Sequence, residues 1–165
     1  MRHQIRATVN GVERALGVSS HETLLEMLSR QLGLRGAREV CGMGVCGACT
    51  VLVDGDPISS CTYLAPFVDG REVLTIEGLG EAGAWHPLQE AFRAYGAAQC
   101  GYCTPAMILA AKALLDRAPR PSDDAIREHL AGNLCRCGAY GSILDAIRAV
   151  RDAAPTFTPG ARTGR

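Results

Sequence analysis

Eight cysteines, soft ligands suited to metal and redox chemistry, fall into two sets of four. The first runs Cys41-x4-Cys46-x2-Cys49 and is completed by Cys61 after eleven intervening residues. This C-x4-C-x2-C…C spacing is the plant-type pattern in which four thiolates hold two irons and two sulfides as a [2Fe-2S] cluster. Gly42, Gly44 and Gly47 stand among these sulfurs. A thiolate-bound cluster is anionic, and a loop that turns its backbone N–H groups on the sulfurs needs the positive φ angles and close approach that glycine permits. Zinc is the chemical rival, but the two short-spaced cysteine pairs usual in such sites are missing from this block.

The second set is Cys100-x2-Cys103 followed, after thirty-one residues, by Cys135-x-Cys137. Its spacing alone leaves zinc, [4Fe-4S] and [2Fe-2S] open. Thr104-Pro105 reads as a helix start, which puts Cys100 and Cys103 at the positive end of a helix dipole and favours an anionic group there. Arg136, between two of these sulfurs, is placed to offset cluster charge or to stand as an ordinary surface arginine. His3, His21, His86 and His129 are scattered without ligand-like pairing and are assigned no role. No Ser/His/Asp set, phosphate loop or carboxylate pair marks a substrate site, so two metal centres on one small chain point to electron relay.

Composition narrows the classes. With Lys+Arg and Asp+Glu both 17, the overall charge carries no footprint for nucleic acid or an anionic membrane. At 165 residues the chain has room for two small domains, and thin cores of that size commonly lean on metals. Only 21% of residues are charged, which fits surface buried against other subunits. The N-terminus has no apolar leader and no apolar run reaches membrane-spanning length, so a cytoplasmic location is expected; eight cysteines there favour metal over disulfides.

The elements that must hold these sites are readable in outline. Ile5, Ala7 and Val9 alternate with polar residues up to Asn10-Gly11, a two-residue hairpin turn, and Val12, Leu16 and Val18 resume the strand. Ser19 and Glu22 form a capping-box pattern before Leu24, Leu25, Leu28 and Leu32, so a helix ending at Gly33 should cover one face of the sheet. A second hairpin, 50–53 and 58–62 around Asp54-Gly55, should carry Cys61, with a closing strand at 73–76. These elements make a small α+β domain over 1–79. After a Gly/Ala-rich linker at 78–85, helices are expected from Pro87 to Gly96, from Ala106 to about Leu115 with Thr104 as cap, from Ser122 to near Gly132, and from Ser142 onward. They constitute an all-α four-helix bundle over 80–154, with Met107, Ile108, Leu114 and Leu115 in its core and an extended tail over 155–165.

With both sets in place, the chain resembles the iron–sulfur small subunits of the molybdenum hydroxylases, the family of xanthine dehydrogenase, aldehyde oxidoreductase and aerobic carbon monoxide dehydrogenase. The likeness rests on CGMGVCGACTVLVDG at 41–55 with Cys61, QCGYCTPAMI at 99–108 and GNLCRCGAY at 132–140. It implies a plant-type ferredoxin-like (β-grasp) domain ahead of the helical one, and a [2Fe-2S] cluster at each cysteine set. It further implies a large partner chain with a molybdenum–pterin cofactor, commonly a medium chain with FAD, and Gln99 and Cys137 lying against the pterin. Electrons would then pass from molybdenum to the Cys100/Cys103/Cys135/Cys137 cluster, on to the Cys41/Cys46/Cys49/Cys61 cluster, and to FAD or another acceptor. An N-heteroaromatic compound or an aldehyde is the favoured substrate, with carbon monoxide the alternative. A free-standing two-cluster carrier and a zinc-stabilised interaction module are the competing roles; zero net charge and a whole helical half speak against the carrier.

Overall fold

Asn10 and Gly11 both take positive φ, 51° and 76°, and so close β1 (Arg2–Val9) and β2 (Val12–Ser19) into an antiparallel hairpin with Val9 opposite Val12. The structure, a computed structural model, describes residues 1–80 and 84–153. Asp54 and Gly55 repeat the same turn chemistry between β3 (Thr50–Val53) and β4 (Asp56–Ser59). β5 (Glu72–Leu74) joins the hairpins, parallel to β1 and antiparallel to β3, in a mixed sheet of order β2-β1-β5-β3-β4.

One face of this sheet is covered by α1 (Leu24–Glu26), which continues as a π-helical stretch over Met27–Gln31. Ile5, Ala7, Val9, Val51, Val53 and Val73 bury against Leu24, Leu25, Met27 and Leu28. The cap differs from the sequence expectation. Thr23 and Glu26 form the capping box, while Ser19 ends β2 and receives only the reach of Glu22 back to its N–H. The same three-residue spacing occurs twice in succession, and the isolated bridge between Thr23 and Leu64 selects the later start. Cys61 lies two residues beyond β4 rather than on it, and β5 ends at Leu74 before a 3-10 turn over Ile76–Gly78.

The other face meets the helical half. β3 is buried on both sides: Val51 and Val53 point into the first core, whereas Leu52 joins the second. That core gathers Leu88 and Phe92 of α2 (Pro87–Ala94), Met107, Ile108 and Leu109 of α3 (Thr104–Arg117), Ile126 of α4 (Asp123–His129), and Ile143 and Ile147 of α5 (Tyr140–Ala153). Leu114 and Leu115 pack at its margin. Cys103, not Thr104, occupies the α3 N-cap position, α4 stops short of Gly132, and α5 begins two residues ahead of Ser142. His86 caps α2, its Nδ1 accepting from the Leu88 N–H. Residues 81–83 of the expected linker and the expected tail lie outside the described residues. Among the described residues no helix is long and apolar enough to cross a membrane.

Candidate metal centres

The glycines of the first cysteine loop adopt the expected backbone: Gly42, Gly44 and Gly47 have φ of 64°, 75° and 66°. The loop thereby turns its amides inward. The Cys41 thiol is pulled down to about 6 by the N–H groups of Met43, Cys46 and Val45 and by the Cys46 thiol. Cys61 is pushed up to about 11 by burial and by the Cys49 thiol, against a lowering hydrogen bond from the Gly44 N–H. The four sulfurs therefore associate two and two, Cys41 with Cys46 and Cys49 with Cys61, and the Cys61 thiol also feels the charge of Cys41.

The second set repeats the arrangement on helix ends. Cys100 is lowered by the Tyr102 N–H and the Cys137 thiol. Cys103, at the α3 N-cap, is pushed up to about 12 by burial and by Cys135. For Cys135, burial works upward but is outweighed by the Ala139 N–H, the Cys103 thiol and the amides of Cys137 and Gly138, so the net direction is down. The pairs are Cys100 with Cys137 and Cys103 with Cys135. Cys135 is buried, while Cys100, Cys137 and the neighbouring Gln99 are exposed on one edge.

The donor chemistry fits a cluster at each set. Backbone amides aimed at sulfur stabilise thiolates, and pairing two and two suits a core in which each iron takes two of the four ligands. Among the described residues no group of three or more His, Cys, Asp or Glu side chains is arranged to hold a single metal ion, which a two-iron core does not require. Beside Cys103 the Thr104 hydroxyl oxygen is buried without a partner among the described residues, the kind of group that a bound acceptor satisfies.

The two sets are not independent. The Leu134 N–H donates to the Cys46 carbonyl at 2.9 Å, joining the residue before Cys135 to a ligand position of the first set. Asn133 Nδ2 donates to the Gly47 carbonyl at 2.9 Å and to Thr50 Oγ1 at 3.0 Å. Arg38, three residues before Cys41, donates to the Gly101 carbonyl at 2.8 Å and lies over the Tyr102 ring, between Cys100 and Cys103. A cavity of about 420 Å³ touches both sets, lined by Val40, Cys46, Cys100, Cys103, Leu134 and Tyr140. Its rim is apolar and open, with Val40 at 60% and Leu134 at 51% exposure. Arg136 also borders this cavity and is exposed.

Sequence reasoning missed Asn133, Arg38 and the Tyr140 hydroxyl, which accepts from the Cys135 N–H at 2.8 Å. Their partners lie far off in the chain or on a turn whose geometry spacing does not encode, so the only available signal was their nearness to the cysteine motifs.

Known proteins resemble this chain over most of its length. Residues 7–75 match the 2Fe-2S iron-sulfur cluster binding domain family and residues 75–148 the [2Fe-2S] binding domain family. The chain is 45% identical to the nicotinate dehydrogenase small FeS subunit of Eubacterium barkeri, over 87% of this chain and 92% of that one. It is 48% identical to one chain of the nicotinate dehydrogenase of Pseudomonas putida, over 90% and 94%. This chain belongs to the iron–sulfur small subunits of the molybdenum hydroxylases. The fold of this small subunit superposes with a TM-score of 0.87 on a chain of quinoline 2-oxidoreductase from Pseudomonas putida 86, at 42% identity and covering 92% of this chain and 95% of that one. It also matches the Desulfovibrio desulfuricans aldehyde oxidoreductase at a TM-score of 0.87 and 40% identity, covering 90% of this chain but 17% of that longer one. As a member of this family, the small subunit serves an oxidoreductase complex by electron transfer, and its sheet and helices correspond to a ferredoxin-like half and a helical half.

Proposed function

We propose that this small subunit carries electrons from a molybdenum–pterin centre on a large partner chain to FAD on a medium chain or to another acceptor. Cys41, Cys46, Cys49 and Cys61 would hold one [2Fe-2S] cluster, and Cys100, Cys103, Cys135 and Cys137 the other. The carrying observation is that one backbone amide in each set donates to a thiol, Met43 N–H to Cys41 and Tyr102 N–H to Cys100, both at 3.5 Å, among four cysteines drawn together. When bound, each cluster supplies a one-electron acceptor and donor. The protein's share is to fix ligand geometry, stabilise the anionic thiolates with its N–H groups, and hold the two sets together through Leu134, Asn133 and Arg38.

Exposure supports a direction. Gln99, Cys100 and Cys137 form an open edge, so this edge is read as the side facing the pterin, with the Gln99 amide free to hydrogen-bond it. The substrate on the large chain is read as an N-heteroaromatic compound. Several relatives are named for such substrates: two nicotinate dehydrogenases, a nicotine 6-hydroxylase of Paenarthrobacter nicotinovorans and the quinoline enzyme. We read residues 1–79 as a β-grasp unit, 80–154 as a four-helix bundle and the assembly as cytoplasmic; the sheet order and the mutual packing of α2 to α5 support the first two.

Rapid mixing of the assembled enzyme with substrate tests the direction. Gln99→Ala should slow reduction of the second-set cluster with iron content unchanged, whereas disrupting the Cys41 set should spare that reduction and block transfer to the final acceptor. Loss of second-set reduction on disruption of the Cys41 set, in an intact complex, overturns the order.

A further inference from the structure

Asn133 is only 7% exposed and sits two residues before Cys135, yet among the described residues both hydrogen bonds of its side chain cross to the other half. Nδ2 reaches the Gly47 carbonyl at 2.9 Å and Thr50 Oγ1 at 3.0 Å, and Thr50 Oγ1 itself donates to the same carbonyl at 2.7 Å. Gly47 lies between Cys46 and Cys49, so the amide grips the first cysteine loop at its centre. The fit is close: a Cβ on Gly47 would come within 2.7 Å of Asn133 Nδ2 and 2.3 Å of the Gly132 carbonyl oxygen. Next to this grip runs the Leu134 N–H to Cys46 carbonyl bond, which joins Cys46 to the residue before Cys135.

An amide suits this place. It brings two N–H donors to two oxygens, and buried polar groups of this kind specify one arrangement only when satisfied. An aspartate of the same shape would instead set a carboxylate oxygen against the Gly47 carbonyl.

We infer that Asn133 is a positioning residue for electron transfer between the two cysteine sets, holding the Gly47 carbonyl so that Leu134, the residue before Cys135, stays hydrogen-bonded to the Cys46 carbonyl and the two sets keep a fixed separation. The inference rests on the proposed two-cluster function. The step itself moves one electron, oxidising the donor cluster and reducing the acceptor, with no bond made or broken. Among the described residues the Asn133 side chain hydrogen-bonds Gly47 and Thr50 rather than a cysteine, and so acts through the loop.

The test uses the assembled, cluster-loaded complex with Asn133→Asp, Asn133→Ala and Thr50→Val in the small subunit. Iron and acid-labile sulfide are measured first. The readout is the magnetic dipolar coupling between the two fully reduced clusters, which falls as the cube of their separation, together with the rate of transfer between them. With iron content unchanged, Asn133→Asp should alter the coupling and slow the transfer severalfold. Full iron with unchanged coupling and rate overturns the inference. If both Asn133 variants lose iron, Thr50→Val decides: an altered coupling supports the positioning role, an unchanged one overturns it. Absence of two cluster signals in the parent protein would sink the proposed function instead, a result distinct from any of these.

Discussion

Gly47→Ala tests the seam between the halves most directly. The substitution adds one methyl group and two separable costs. The first is conformational, since φ of 66° is left-handed and a side chain there costs about 1–2 kcal/mol. The second is steric, since the new Cβ would stand 2.3 Å from the Gly132 carbonyl oxygen, a backbone atom that cannot swing aside. Overpacking of this sort adds about 1–3 kcal/mol. Gly55 supplies the internal control: its φ is 84°, and a Cβ there meets nothing within 4 Å. Gly55→Ala should therefore lower the melting temperature by about 2–8 °C and Gly47→Ala by about 4–20 °C, at about 2–4 °C per kcal/mol for a chain of this size. Far-ultraviolet dichroism and visible cluster absorption, followed together on the loaded complex, give both midpoints. Equal melting of the two variants refutes a steric wall at Gly47.

The remaining expectations concern titration and metal. Burial and the nearby Lys112 charge lower the His86 pKa, so the folded chain holds the neutral ring whose Nδ1 caps α2, and stability should fall as pH drops below about 6.5, where the unfolded chain binds the proton first. His86→Asn supplies a capping oxygen in place of Nδ1 and should remove that part of the pH dependence in thermal melts; an unchanged profile counts against it. Hydrogen bonds from Arg148 and Arg151 hold the Asp123 carboxyl well below the usual carboxylate range, so the stability it gives is present above about pH 4 and is lost only below. The stability gap between the parent and Asp123→Asn should accordingly stay constant from about pH 8 to about pH 5; a gap that fades over that interval contradicts the assignment. Intact protein should contain two irons and two sulfides for each set of four thiols, and stripping them should abolish cooperative melting of both halves. A helical half that still melts cooperatively without iron is the contrary result.

What the sequence revealed and what it hid follow one division. Asn10-Gly11 and Asp54-Gly55 were legible because few residue pairs tolerate two consecutive positive φ angles. The cysteine sets were legible because ligand spacing is a local property of the chain, and the Pro87 start of α2 because proline suits the first helical turn. Competition between equivalent local signals was not resolvable: Ser19/Glu22 and Thr23/Glu26 carry the same box, and only pairing with Leu64 favours the second. The π-helical stretch after α1 and the N-cap role of Cys103 likewise depend on packing rather than on residue type. The grip of Asn133 on Gly47 spans 86 positions, and an asparagine beside a glycine reads, in isolation, as an ordinary turn.

That span sets a clock on the ribosome. Chains emerge at about 5–20 residues per second, so roughly 4–17 s separate the appearance of Gly47 from that of Asn133. Throughout that interval the N-terminal thiols are already synthesised, but their loop lacks the Leu134 donor at the Cys46 carbonyl, and the Gly47 carbonyl has only its bonds from Thr50. The first cysteine set to be translated is thus the one whose final shape waits on the last third of the polypeptide. A truncated chain ending before Asn133 would present four early thiols on a loop without the Asn133 and Leu134 bonds.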